Sequence, residues 1–173
     1  MYAPQRMGQK VCGPVCASKF ARDMSEKSRK VLEAAERHAD KAKREAMKSH
    51  AELIKEAQAA FNAYIRARDH DKPCISCGRH HNGQWHAGHY LSTGARPELR
   101  FEPLNVHKQC QPCNTHLHGN LILYRGNLIE RIGLDKVLWL EGPHDPLKKT
   151  SAELVELKKK YRALARELEK ETA

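Results

Sequence analysis

Residues 104–120 read LNVHKQCQPCNTHLHGN, and the fold turns on what this stretch does. It carries a Cys-x-x-Cys pair, Cys110 and Cys113, among His107, His116, His118, Asn105 and Asn114. A second pair, Cys74 and Cys77, lies upstream in PCISCG, with 32 residues between the two pairs. Each pair sets two thiols on one tight turn, and two such turns brought together make the tetrahedral sulfur site that zinc accepts. Gly78 follows the first pair, where a turn with positive φ needs a residue without Cβ. The spacing is longer than in a compact zinc ribbon, so a sizeable insert lies between the knuckles. That insert contains WHAGHYL (85–91), with His86 and His89 three residues apart.

Around this centre the chain is basic and mostly helical. It has 173 residues, with 31 Lys and Arg against 21 Asp and Glu, a formal charge of +10. Such an excess suits a polyanionic partner, above all nucleic acid. The charge sits on the flanks: residues 1–73 carry +6, residues 147–173 carry +3, and residues 74–146 only +1. The nearly neutral middle holds eight of the eleven histidines. No apolar stretch approaches membrane-spanning length, and MYAPQRMGQKVCGPVC lacks the apolar core of a signal peptide. The chain therefore reads as cytosolic, where paired cysteines bind metal more often than they form disulfides.

From Ser25 to about Arg68 there is no proline or glycine, and Ala, Glu, Lys and Arg dominate, which predicts one long helix. Its first half is too charged to bury much. In its second half Leu53, Ile54, Ala57, Ala60, Phe61, Tyr64 and Ile65 make an apolar stripe that docks on a core. Residues 74–120 are poor in helix signals and should form a loop-and-strand unit, ending in a short helix from about Cys110 to Gly119. Two further short helices meet at Gly133. Thr150 and Glu153 form a capping-box pattern ahead of a final helix, whose Leu154, Leu157, Tyr161, Leu164 and Leu168 make a stripe for packing or dimer contact. Trp85 and Trp139 are expected in packing, His107 in a core hydrogen bond, and His80 and His81 in a solvated turn. Cys12 and Cys16 are half of a zinc site with no second half nearby.

The order GHY … LNVHKQCQPCNTHLHGN resembles the HNH nuclease motif. The resemblance implies an α+β fold, a small zinc-braced ββα-metal finger embedded between long basic helices. It also makes the strand histidine, His89, the residue that activates water. The chemistry is compatible: phosphodiester hydrolysis needs a base and a cation on the phosphate, and a neutral imidazole is a suitable base near pH 7. Asn105 is suited to holding a loop to the imidazole by hydrogen bonds. Asn114 and His118, at i and i+4 on an ideal helix, share one face and can present ligands to one cation, whereas His116 points toward the face of Cys113.

A narrower match covers roughly residues 11–170. PCISCG, QWHAGHY, LRFEPLNVHKQCQPCNTHLHGNLILYR and LIERIG resemble the NinG (Rap) family of lambdoid phage recombination endonucleases. The resemblance implies cleavage of branched recombination intermediates with a divalent cation, Mg²⁺ or Mn²⁺, in the cytoplasm of a bacterial host cell. By that likeness His89, Asn105 and His116 take the HNH positions, and Cys74, Cys77, Cys110 and Cys113 bind structural Zn²⁺. The family pattern and the helix geometry thus differ over His116 against Asn114 with His118. Two departures stand out. Position 86 is usually acidic in the family and is His86 here, either a softer metal ligand favouring Mn²⁺ or Ni²⁺ over Mg²⁺, or a packing residue beside Trp85. The family also has a further cysteine pair upstream of VCGPVC, so the expected amino-terminal zinc module is truncated or vestigial.

The resulting expectation has four parts: a partial amino-terminal zinc-binding remnant (1–24), a long basic helix (25–68), a zinc-braced HNH nuclease domain (69–141), and a linker with an amphipathic helix (142–173). Branched DNA is the expected partner, with no membrane and a candidate homodimer through the long helices. Two rivals are a zinc-braced DNA-binding protein without hydrolytic power, motivated by His86, and a coiled-coil adaptor.

Overall fold

The computed structural model describes residues 10–171. The chain divides into two compact units, Met1–Lys48 and Ser49–Ala173. The first is dominated by α1 (Pro14–Ala46), which starts at a proline whose fixed φ suits the first turn and whose missing N–H costs nothing there. It begins earlier than the helix propensity from Ser25 onward predicts. The helix buries no residue; Phe20, Met24, Val31 and Leu32 stay exposed. Pairs at i, i+4 such as Lys30 with Glu26 (2.7 Å) lie along it, each worth a few tenths of a kcal/mol at most.

The single long helix expected over 25–68 is two helices. α2 (His50–Arg68) has its own start at Ser49, whose hydroxyl accepts from the Glu52 N–H (3.3 Å) while the Glu52 carboxylate accepts from the Ser49 N–H (2.8 Å). This reciprocal capping box ends the preceding helix without any proline or glycine. The unit boundary falls there.

The second unit has two apolar centres. In the first, Leu53, Ala57, Ala60, Phe61 and Ile65 of α2 meet Leu154 and Tyr161 of the last helix, with Phe101 and Val106. That helix, α5 in chain order (Ser151–Glu171), starts at the expected capping box, where the Glu153 carboxylate accepts from the Thr150 N–H at 2.7 Å. It runs beside α2 in the same direction, since Glu56 pairs with Lys158 and Tyr64 with Tyr161. The α5 stripe is thus consumed within the chain. Phe61, fully buried, stands edge-on to Tyr161 (4.8 Å) and Phe101 (6.0 Å). A buried side chain of this size contributes roughly 1.5–3 kcal/mol.

In chain order between α2 and α5, β1 (Trp85–His89) pairs antiparallel with β2 (Val106–Cys110), His89 opposite Val106 and Trp85 opposite Cys110. A single wide, π-helical turn at Pro112–His116 follows β2. Then come α3 (Leu121–Ile132) and α4 (Leu134–Glu141), which meet at Gly133 with φ +90°, as the sequence suggests. Tyr124 and Leu128 of α3, Val137 and Leu140 of α4, and Ile75, Tyr90 and Leu99 form the second centre. Tyr124, wholly buried, donates its hydroxyl to the Gly88 carbonyl (2.9 Å) and so fixes β1 to α3.

Asp69 joins α2 to β2. Its carboxylate accepts from Arg68 (2.9 and 2.8 Å) and from the Lys108 N–H (3.1 Å). Burial would raise its pKa, but the bonds and charges of His107 and Arg68 outweigh burial and hold the carboxyl far below the usual range. Among the described residues no helix is long and apolar enough to cross a membrane.

Candidate metal centre and histidine cleft

The two knuckles come together. Cys74, Cys110 and Cys113 are buried and Cys77 half-buried, and the four sulfurs lie within 4.8 Å of one another. Zinc–sulfur bonds of about 2.3 Å in a tetrahedron place sulfurs about 3.8 Å apart, so the cluster fits one ion with little movement. The first knuckle closes through the Gly78 N–H on the Cys74 carbonyl (2.9 Å), with Gly78 at φ +67°. Donors are aimed at the sulfurs: the Cys110 N–H at Cys74 (3.4 Å) and the Asn120 side-chain amide at Cys113 (3.8 Å). Burial pushes the Cys110 and Cys113 thiols up. At Cys74, burial is outweighed by the backbone amides of Cys77, Cys110 and Ser76, which pull its thiol down. These four cysteines can hold zinc, and they are the only such group among the described residues.

His81 makes an approach that the sequence does not announce. Its Nε2 lies 3.3 Å from the Cys77 sulfur and its ring stands edge-on to Trp85 at 5.8 Å. The turn that was expected to be solvated thus brings an imidazole to the cluster's least buried sulfur.

A cleft of ≈ 320 Å³ opens beside the cluster, lined by Ala87, His89, Ser92, Thr93, Asn114, His118 and Gly119. His89 ends β1, and its Nε2 meets the Arg100 carbonyl at 3.1 Å. A carbonyl only accepts, so Nε2 carries the proton and Nδ1 keeps its lone pair. Burial, more than the opposing carbonyl bond, lowers the pKa of this histidine and keeps the ring neutral near pH 7. Asn114 and His118 reach the same cleft, though not as i, i+4 residues of a helix. The turn ends at His116, and His118 takes a left-handed conformation with φ +46°.

Asn105 is fully buried and does not touch the imidazole. Its Oδ1 accepts from the Leu91 N–H (2.9 Å), and its Nδ2 donates to the carbonyls of Leu91 (3.0 Å) and Leu99 (3.2 Å). It therefore clamps the backbone just after His89 and just before Arg100, whose carbonyl holds the ring. His116 lies on the exposed turn and is not among the residues lining the cleft. His86 is not either. Side chains alternate along a strand, so His86 faces away from His89, opposite Gln109, and its Nε2 is buried with no partner.

Other expectations resolve simply. His107 is buried, with one ring nitrogen 3.2 Å from the Leu104 carbonyl and the other 3.1 Å from Arg68. Trp85 packs beside the cluster under the Lys108 ammonium (4.1 Å). Trp139 is half-exposed on the outer face of α4 and is not a core residue. The Cys12 and Cys16 sulfurs are 2.9 Å apart and exposed, and no third ligand joins them among the described residues.

These features define a mainly helical protein with a small two-stranded antiparallel sheet, a cluster of four cysteines that could hold a metal ion, and a histidine-bearing cleft. The chain belongs to the NinG family: the family model described as Bacteriophage Lambda NinG protein matches residues 1–171. It is 41% identical to protein ninG of Salmonella phage P22, covering 96% of this chain and 88% of that protein. To protein ninG of Escherichia phage lambda it is 40% identical, covering 96% and 87%. To that of Escherichia phage 933W it is 48% identical over 71% of this chain and 61% of the relative. No solved structure matches the chain.

Proposed function

We propose that this protein is a metal-dependent DNA endonuclease of the HNH class that acts on branched recombination intermediates (Holliday junctions, D-loops and forks) in phage or prophage recombination. The observation that carries the reading is His89: a neutral imidazole, its Nε2 engaged by a backbone carbonyl, lining a cleft with Asn114 and His118. In this reading Nδ1 of His89 takes the proton from the attacking water. Asn105 is a positioning residue that fixes the backbone on both sides of that imidazole. Asn114 and His118 would hold the divalent cation, Mg²⁺ or Mn²⁺, whose chemistry there would be to offset charge on the phosphate. Their amide oxygen and imidazole nitrogen favour Mn²⁺ over Mg²⁺. The four-cysteine site keeps β1 and the turn after β2 in register, and the excess of basic residues binds the DNA backbone.

The test is to incubate the protein with forked, four-way and linear duplexes, each with Mg²⁺ or Mn²⁺. Branched substrates should be cut and linear duplex spared. His89→Ala should lower cleavage by a factor on the order of 10² or more, with zinc content and DNA binding retained. A specific observation favours a second reading, a structure-specific DNA-binding protein without catalysis: no carboxylate is among the residues lining the cleft. Branch-selective binding with no cleavage under either metal would establish that reading and defeat the first.

A further inference from the structure

A second pocket, of ≈ 530 Å³, is lined by Tyr90, Leu91, Leu121, Ile122, Arg125 and Gly126. That is within the range of small-ligand clefts, roughly 300–1,000 Å³. Its rim is unusually apolar for a surface: Ile122 is 89% exposed and Leu121 50%, and Leu117, four residues before Leu121, is 56% exposed. The chain has cores into which such residues would go, yet the first turn of α3 turns them outward. The turn that does so is built from three consecutive left-handed residues, His118, Gly119 and Asn120 (φ +46°, +92° and +47°). Two of these line the His89 cleft. On the other wall, Tyr90 and Leu91 directly follow His89. The apolar pocket and the candidate cutting site have no lining residue in common, but both are built on the same two chain segments, 87–93 and 114–126.

The charge of the pocket says what it takes. Arg125 is its one cation, and both oxygens of Glu141 hold it, at 2.7 and 3.1 Å. The pair is locally neutral, so the pocket does not attract a phosphate as an isolated arginine would. It offers apolar walls, a tyrosine ring and a half-exposed guanidinium edge. That combination suits an uncharged flat body with a polar rim. On a chain of formal charge +10, the flat body that arrives attached to a polyanion is a nucleobase.

We propose that this pocket receives an unpaired base at the branch of a DNA substrate, with Leu121 and Ile122 as the wedge that keeps it out of the stack. The inference rests on the reading of the protein as one that acts on DNA. It supplies what the His89 cleft lacks, a reason to prefer a branch: linear duplex has no base free to enter, whereas a branch point holds unstacked bases at little cost. Selectivity then comes from the apolar pocket, and the adjoining cleft cuts the strand that the trapped base has fixed in place.

The test uses the full chain with no added divalent cation, so that cleavage plays no part. Affinities for a four-way junction and for a linear duplex of the same length are measured for wild type, Ile122→Ser and Leu121→Ser. Both positions are exposed, and retained zinc confirms folding. The expected result is a preference for the junction in wild type that falls on the order of tenfold in each variant, with linear affinity unchanged. A junction carrying 2-aminopurine at the branch should change fluorescence on binding wild type but not Ile122→Ser. Preference retained in both variants overturns the proposal, and so does an equal loss on both DNA shapes. Variants that lose self-association by light scattering but keep junction preference show that the pocket docks a second copy instead. Wild type that binds neither shape defeats the nuclease reading itself, and this inference with it; wild type that binds both shapes equally defeats only this inference.

Discussion

His89 gives up its proton more readily than a free imidazole, because burial penalises the charged ring more than the Arg100 carbonyl supports it. If it is the base, cleavage rises with pH as the ring deprotonates, and the midpoint lies below the ordinary histidine value of 6.5. Rates measured from about pH 5 to 8 locate that limb, and a midpoint above the ordinary value would show that another group titrates. The same depression acts on stability. The unfolded chain binds this proton more tightly than the folded one, so the contribution is present above pH 6.5 and lost as pH falls through the folded value. Asp69 acts lower: its contribution is present above the ordinary carboxylate value of 3.8 and is lost only in stronger acid. His86 and His118 separate cleanly. His118→Ala should lower cleavage at fixed metal roughly tenfold or more, while His86→Ala leaves the rate and the Mn²⁺ to Mg²⁺ ranking unchanged. Cleavage titrated with each metal checks both. The cysteines are legible in the sequence because a knuckle is a local pattern whose spacing alone puts both thiols on one turn. The placement of His86 is legible only once 85–89 is known to be a strand, since an odd separation from His89 then means opposite faces. His81 is not legible at all, because its approach to Cys77 depends on how the turn between them closes.

At the scale of elements, the sheet is held by a close approach at Gly88. A Cβ there would lie 2.0 Å from Oε1 of Gln109. The Gln109 amide has nowhere to go, since its Nε2 is bonded to Ser76 and to the Gly119 carbonyl, each at 2.6 Å. Those two partners belong to the first knuckle and to the turn that lines the His89 cleft. Gly88→Ala should therefore destabilise the protein by about 1–3 kcal/mol and weaken zinc retention and cleavage together. Urea unfolding with zinc content measured on the same samples checks this; an unchanged midpoint would mean that the glutamine moves freely. Helix starts show how far the sequence carries. Thr150 with Glu153 announces α5, and Ser49 with Glu52 carries the same signal for α2, inside a run whose composition reads as unbroken helix. Propensity is blind to a break made by a cap alone. The turn after β2 is the opposite case: its wide, irregular winding and left-handed exit have no local signature beyond Gly119 and Asn120, so Asn114 and His118 line one cleft with His89 without the i, i+4 helix geometry that the sequence suggests.

At the scale of the molecule, charge and packing are divided between the two units. Residues 1–48 carry 12 basic and 6 acidic side chains, so about a quarter of the chain holds +6 of the +10 formal charge. Yet α1 buries none of its residues, and its helix rests on propensity and i, i+4 pairs. The four-cysteine cluster, both apolar centres, the apolar pocket and the His89 cleft lie in Ser49–Ala173. A helix that buries none of its residues and concentrates the positive charge is suited to lying along phosphates, where each neutralised phosphate releases a counterion. Removing residues 1–47 leaves the Ser49–Glu52 cap and the four cysteines in place, so the shortened protein should fold and keep its zinc. Its affinity should fall for every DNA shape alike, because binding to phosphates carries no information about the branch. The salt dependence should also flatten, by a slope of about 0.9 for each duplex phosphate that the arm had neutralised. If the apolar pocket supplies a preference for branched over linear DNA, that preference should survive the deletion, because the pocket lies in the other unit. Affinities over a series of salt concentrations, for both proteins on junction and linear duplex, give all three quantities. An unchanged slope would show that α1 does not touch DNA, and a lost preference would move branch recognition into the arm.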